Sequence, residues 1–165
     1  MKQDNEILFC PLGGSGEIGM NVNLYHFRDS WIMVDLGISF PDESTPGVDV
    51  ILPDLKFIAD RREKLAGLVL THGHEDHFGA IPYLWSQIGC PIYGSAFTIA
   101  LLRRKLSESR VDFDIPLHEI GMNVPFNLGS FEIEMVALNH SIPDPAALAI
   151  RTDAGTRTVD YVMCA

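Results

Sequence analysis

Four side chains of the kinds that hold metal ions fall within six residues of this chain: His72, His74, Asp76 and His77, in the run His72-Gly73-His74-Glu75-Asp76-His77. Neutral imidazole nitrogens and carboxylate oxygens are the usual ligands of zinc and of manganese-like ions. Residues two apart on an extended segment point the same way, so His72 and His74 can chelate one ion while Asp76 and His77 turn toward a second. Two cations held about 3.5 to 4 Å apart lower the pKa of a bridging water and so supply hydroxide as a nucleophile. Asp76 is placed to orient or deprotonate that water. This is the chemistry of a metal-dependent hydrolase. The plainer reading, that these polar residues cap a following helix, needs only one of them.

Such a site draws ligands from elsewhere in the chain. His140, in NHSIPD, follows a strictly alternating stretch and stands on a strand-end loop, where site residues concentrate. His26 lies on a strand with no neighbouring ligand, and His118 sits beside Glu119; both are read as surface or packing histidines. Gly14-Ser15-Gly16-Glu17-Ile18-Gly19 satisfies G-x-G-x-x-G, the fingerprint of a dinucleotide-binding turn. That fingerprint requires a helix next, yet Met20 to Phe27 alternates as a strand does, so the glycines are read as a tight turn between strands. No cofactor-binding residue is assigned to them. A functional version of the turn would aim backbone amides at the metal cleft and an anionic substrate.

The elements that must position these residues follow from periodicity. Strands are expected at Glu6 to Leu12, Met20 to Phe27, Trp31 to Gly37, Ala66 to Thr71 and Pro91 to Gly94, then at Asn123 to Asn127, Phe131 to Leu138 and Ala147 to Thr152. Helices are expected from an Asp54 cap to near Lys64, from about Gly79 to Gln87, and from about Ser95 to Leu106. Residues 37 to 53, rich in Gly, Pro, Asp and Ser, read as a long functional loop. The result is an α/β domain whose sheets are covered by helices, with chemistry on strand-to-helix loops.

Bulk properties narrow the setting. At 165 residues the chain fits one domain. With 47% hydrophobic and 21% charged residues it is neither disordered nor fibrous. No apolar run approaches a membrane span and the N-terminus MKQDNEILF lacks a signal-peptide core, so a cytoplasmic location is expected. Cys10, Cys90 and Cys164 are odd in number and far apart, which argues against a disulfide framework. The net charge of -10 speaks against a nucleic-acid partner unless cations in the cleft supply the positive potential.

The run HGHEDH is the H-x-H-x-D-H hallmark of the metallo-β-lactamase superfamily, which the sequence resembles. PLGGSGEIGMN at Pro11 to Asn21, VDLG with STPGVDVILPD at Val34 to Asp54, and NHSIPD at Asn139 to Asp144 resemble the ribonuclease J family in particular. The resemblance runs from about residue 6 to 155. It implies a metallo-β-lactamase-like αββα sandwich and a metal-dependent 5'-to-3' exonuclease and endonuclease. Such an enzyme acts in RNA processing and decay, ribosomal RNA included, with RNA as partner, two zinc or manganese ions, and oligomerisation of the full-length family member. By position, His72, His74 and His140 resemble the ligands of one ion and Asp76 with His77 those of the other. Asp35 resembles the superfamily's supporting aspartate, and Ser141 would lie near the scissile phosphate. The family continues into an H-T-G-D motif whose aspartate bridges both ions. Here the chain reads RTVDYVMCA, and Asp160 does not align with that aspartate. Residues 1 to 165 are therefore expected to be the N-terminal half of the sandwich, incomplete, without the β-CASP and C-terminal domains. Weak metal retention, little turnover and an exposed apolar face on Phe131 to Leu138 are expected with it. A thioester or lactam hydrolase of the same superfamily, or a non-catalytic metal-binding fragment, are the alternatives.

Overall fold

The computed structural model describes residues 6–43, 45–109 and 114–159, with side chains given to residue 155. Asp160 and Cys164 lie outside the described residues. Two sheets face one another. The first has six strands in the order β1 (Leu8–Gly13), β2 (Val22–Phe27), β3 (Ser30–Val34), β4 (Leu65–Val69), β5 (Ile92–Gly94) and β6 (Leu117–Glu119). β1 to β3 are antiparallel, and β3 to β6 run parallel. The second is an antiparallel sheet in the order β10 (Gly155–Val159), β9 (Ala146–Thr152), β8 (Phe131–Ala137) and β7 (Phe126–Leu128).

Alternation on the strands explains the layering, because successive side chains point to opposite faces. Tyr25, Phe27, Ile32, Val34 and Val69 turn toward the second sheet and meet Phe131, Ile133, Met135, Leu148 and Ile150. Val22, Leu24, Met33 and Leu68 turn the other way, toward the helices. That layer consists of α1 (Lys56–Ala59), α2 (Glu75–Phe78), α3 (Ile81–Ile88) and α4 (Ala96–Glu108), which bury Ile58, Phe78, Ile81, Leu84, Ile99 and Leu102. The parallel strands are thus covered on both faces and read as nearly continuous apolar runs. On β8, Glu132 and Glu134 face outward and pair with Arg151 of β9. No helix covers that outer face among the described residues, so three layers of the αββα sandwich are seen.

Several expectations need correction. The apolar face of β8 is covered, since Phe131, Ile133 and Met135 are buried against the first sheet. The helix expected from Asp54 to Lys64 is one α turn, α1, followed by a 3₁₀ turn at Arg62–Lys64; the Asp54 carboxylate accepts the Lys56 N–H at 2.8 Å just before it. Four polar or charged residues in a row, Asp60 to Glu63, offer no apolar stripe to continue the helix. The strand expected at Asn123 to Asn127 begins at Phe126, because Asn123 has φ +58°, outside strand geometry. β6 and β10 were not among the strands expected.

Candidate metal centre

The parallel strand β4 ends at Val69, and the next residues carry the chain off the sheet toward the helix layer. Leu70 donates its N–H to Tyr93 O at 2.8 Å, and Thr71 O accepts the Ala146 N–H at 3.0 Å. Thr71 is therefore anchored to both sheets, and His72 is delivered at their common edge. His140 arrives there from the β8–β9 loop, whose base is closed by the Leu138 N–H donating to Pro145 O. His72 Nε2 and His140 Nε2 each lie 3.2 Å from His74 Nδ1, and one ring nitrogen from each of the three falls within 4.8 Å of the others.

This arrangement fits a cation. One proton or one lone pair on His74 Nδ1 cannot fully serve two ring nitrogens at once. An ion at the usual 2.0–2.1 Å from each of three tetrahedrally disposed nitrogens would hold them about 3.3 Å apart, close to the 3.2 Å that separates His74 from each of its two partners. For His72 and His74 the surroundings also favour the neutral form a ligand needs. Burial, reinforced by repulsion from His77, His74 and His140, pushes His72 down to about 3. Burial and the neighbouring His140 lower His74 as well.

Asp76 and His77 sit beside this triad on α2. The extended part of the motif stops at His74, and a helical turn that begins before the helix expected from about Gly79 aims Asp76 and His77 differently from His72 and His74. His77 is fully buried, with Nδ1 2.7 Å from Asp35 Oδ2. Asp35, also fully buried, accepts the Thr71 N–H and the Thr71 hydroxyl at 2.8 Å each. Such a carboxylate holds the proton on Nδ1 and turns the Nε2 lone pair outward, as partners behind metal-ligating histidines do. Nε2 lies 3.4 Å from Asp76 Oδ2. Burial alone would lower His77, but Asp35 and then Asp76 outweigh it and raise the ring to about 10, so a proton and a cation compete for Nε2. For Asp76, burial opposes ionisation and the hydrogen bond from His77 overcomes it, leaving its pKa below the usual value.

The backbone around the pair is tightly constrained. Leu36 N–H donates to His77 O at 2.7 Å, Ile38 N–H to Glu75 O at 3.1 Å, and Ala80 N–H to Leu36 O at 3.0 Å. A Cβ at Gly37 would overlap the Asp76 carbonyl, so only glycine allows this approach. Asp35 itself has φ +61°, held by its N–H bond to Val69 O and by its three carboxylate partners.

The structure thus brings together His72, His74 and His140, and beside them Asp76, His77 and Asp35. Ser141 is exposed on the same loop as His140. His26 packs at a tilt against Trp31 and His118 stacks on Tyr93, apart from the triad. Two residues of the site were not singled out from sequence. Thr71 looks like any strand-end residue. Asn21, whose amide nitrogen is 3.3 Å from Asp76 Oδ2, was visible only as the last letter of PLGGSGEIGMN. The glycine motif is followed by β2 and not by a helix, as the alternation required. A cleft of about 300 Å³ borders Asp76, walled by Glu75 and by the exposed apolar side chains of Ile18 and Phe40.

The sequence profile of the metallo-beta-lactamase superfamily matches residues 17–146. Ribonuclease J of Sinorhizobium meliloti is 46% identical over 160 residues, which take in 94% of this chain and 28% of that protein. Ribonuclease J of Thermus thermophilus is 41% identical over 159 residues, 92% of this chain and 28% of that one. The chain therefore spans little more than a quarter of the length of these relatives. Among solved structures, the metallo-beta-lactamase fold protein YhfI from Bacillus subtilis superposes with a TM-score of 0.65 at 18% identity, covering 92% of this chain and 61% of that one.

Proposed function

Because this chain belongs to the metallo-β-lactamase superfamily, we propose that it supplies the metal-binding face of a ribonuclease that hydrolyses RNA phosphodiesters with a metal-activated water. The observation that carries this reading is the triad of His72, His74 and His140 beside the Asp35-backed pair of Asp76 and His77, in a chain with 46% identity to a ribonuclease J. The triad holds one ion and Asp76 with His77 holds the second, both zinc or manganese. When bound, such ions supply Lewis acidity, a water of lowered pKa and compensation of phosphate charge. Asp35 fixes the ring plane and tautomer of His77. Asp76, partly exposed at the cleft, is the group that would orient the attacking water or accept its proton. Ser141, exposed beside His140, is suited to donate to a substrate phosphate oxygen.

The net charge of -10 does not oppose a polyanionic substrate, because the ions add positive potential where the phosphate lies. No helix among the described residues is long and apolar enough to cross a membrane. The reading carries with it RNA as partner, a cytoplasmic setting, and oligomerisation of the full-length enzyme.

The test is a graft of residues 17–146 into the matching positions of the Sinorhizobium meliloti ribonuclease J. The graft is expected to cleave RNA in zinc or manganese, and His74→Ala within it to lower the rate by about a thousandfold, the scale on which a catalytic ion acts. A folded, metal-loaded graft that leaves RNA intact would overturn the reading. Hydrolysis of a thioester or lactam in its place would favour the small-molecule branch of the superfamily.

A further inference from the structure

The glycine-rich stretch 13–19 runs into β2 and not into a helix, and it packs close to the candidate metal centre. Gly14, Gly16 and Gly19 have φ of +78°, +83° and +86°, in the left-handed region that favours glycine. They bend the β1–β2 connection back onto Asn21. A Cβ on Gly14 would overlap the Asn21 side-chain oxygen, whereas one on Gly16 would meet nothing within 4 Å.

Asn21 is 2% exposed and touches both residues assigned to the second ion. Its backbone N–H donates to Asp76 O at 2.9 Å, and its backbone oxygen accepts the Gly37 N–H at 3.0 Å. Its amide nitrogen lies 3.1 Å from Asp76 O, 3.3 Å from Asp76 Oδ2 and 3.2 Å from His77 Nε2. Two acceptor oxygens of Asp76 set the amide with its NH2 toward the site and its oxygen toward Gly14. Asp76 has a short side chain at the rim of a cleft, and His77 only partly restrains it. An N–H donated to Oδ2 from a buried, immobile amide selects one carboxylate orientation.

We propose that Asn21, packed in place by Gly14, is a positioning residue that sets the Asp76 carboxylate for the second ion, and that this is the task of the glycine-rich loop. The inference rests on the two-ion reading above. Partners behind metal ligands commonly govern affinity by 10- to 100-fold.

Isothermal titration of the graft described above, extended to take in Gly14 and Gly16, with zinc, and separately with manganese, tests it. In Asn21→Ala the second ion is expected to bind about 10- to 100-fold more weakly while the first is held as before. Gly14→Ala, which displaces the Asn21 side chain without removing it, is expected to show the same selective loss. Gly16→Ala carries comparable backbone strain in open space and is expected to change neither ion. This glycine pair decides the matter if Asn21→Ala fails to fold. Two ions held undiminished in Asn21→Ala, or Gly14→Ala and Gly16→Ala behaving alike, overturn the inference and leave the two-ion reading standing. A single ion in the unaltered graft overturns that reading, and the inference with it.

Discussion

At the scale of single residues, His72 and His77 share one buried site and are driven in opposite directions. His72 is held at about 3 by burial and by its imidazole neighbours. For His77, burial is outweighed by Asp35 and Asp76, and the ring sits at about 10. Each is referred to an ordinary value of 6.5 in the unfolded chain. Stability follows the difference in protons bound. The raised group, His77, contributes stability that is complete below 6.5 and lost as pH rises through about 10. The lowered group, His72, binds its proton more readily unfolded, so it costs stability as pH falls from 6.5 toward about 3. The metal-free chain is therefore expected to be most stable near pH 6.5 and to weaken on both sides, as thermal melts in chelator across that range would show. A melting temperature still climbing above pH 8 or so would mean that Asp35 does not hold a charged His77.

At the scale of elements, the strongest constraint is the seam between the segment after β3 and the α2 turn, where three backbone hydrogen bonds and the Gly37 contact lock the ligand pair in place. Gly37→Ala sets a methyl group on the Asp76 carbonyl and must part the two segments. The expected result is a loss of about 3 kcal/mol or more in denaturant unfolding, toward the severe end for a single overpacked residue, with weakened metal uptake by Asp76 and His77. Much of this level was legible in the sequence. Strict alternation in Phe131 to Leu138 and the apolar run before His72 fixed β8 and β4 because both are buried and long enough to show a period. The extent of α1 and the existence of β6 were not legible, because four and three residues carry too little pattern. The ligand types were readable at His72 to His77, and His140 was recoverable as a strand-end histidine. The contacts of Thr71 and Asn21 were not, since they depend on loops that meet only in three dimensions.

At the scale of the whole molecule, the centre joins two sheets that otherwise meet through side-chain packing and a few edge hydrogen bonds. His72 and His74 come from the end of the first sheet, and His140, 66 residues after His74, from the second. An ion on all three is a clamp between layers that the unfolded chain cannot reproduce. Free metal at a hundred times its dissociation constant is expected to add about 2.7 kcal/mol to stability, or several degrees of melting temperature, and chelation to remove it. His140→Ala should abolish most of that gain while leaving the chelated protein's melting point nearly unchanged, because His140 is only partly buried. The same split origin bears on the order of events as the chain folds. HGHEDH is contiguous, so it can form early with the local structure around β4, but the third imidazole reaches it only when the hairpin β8–β9 has docked. Capture of an ion by all three imidazoles thus requires that the sandwich has closed.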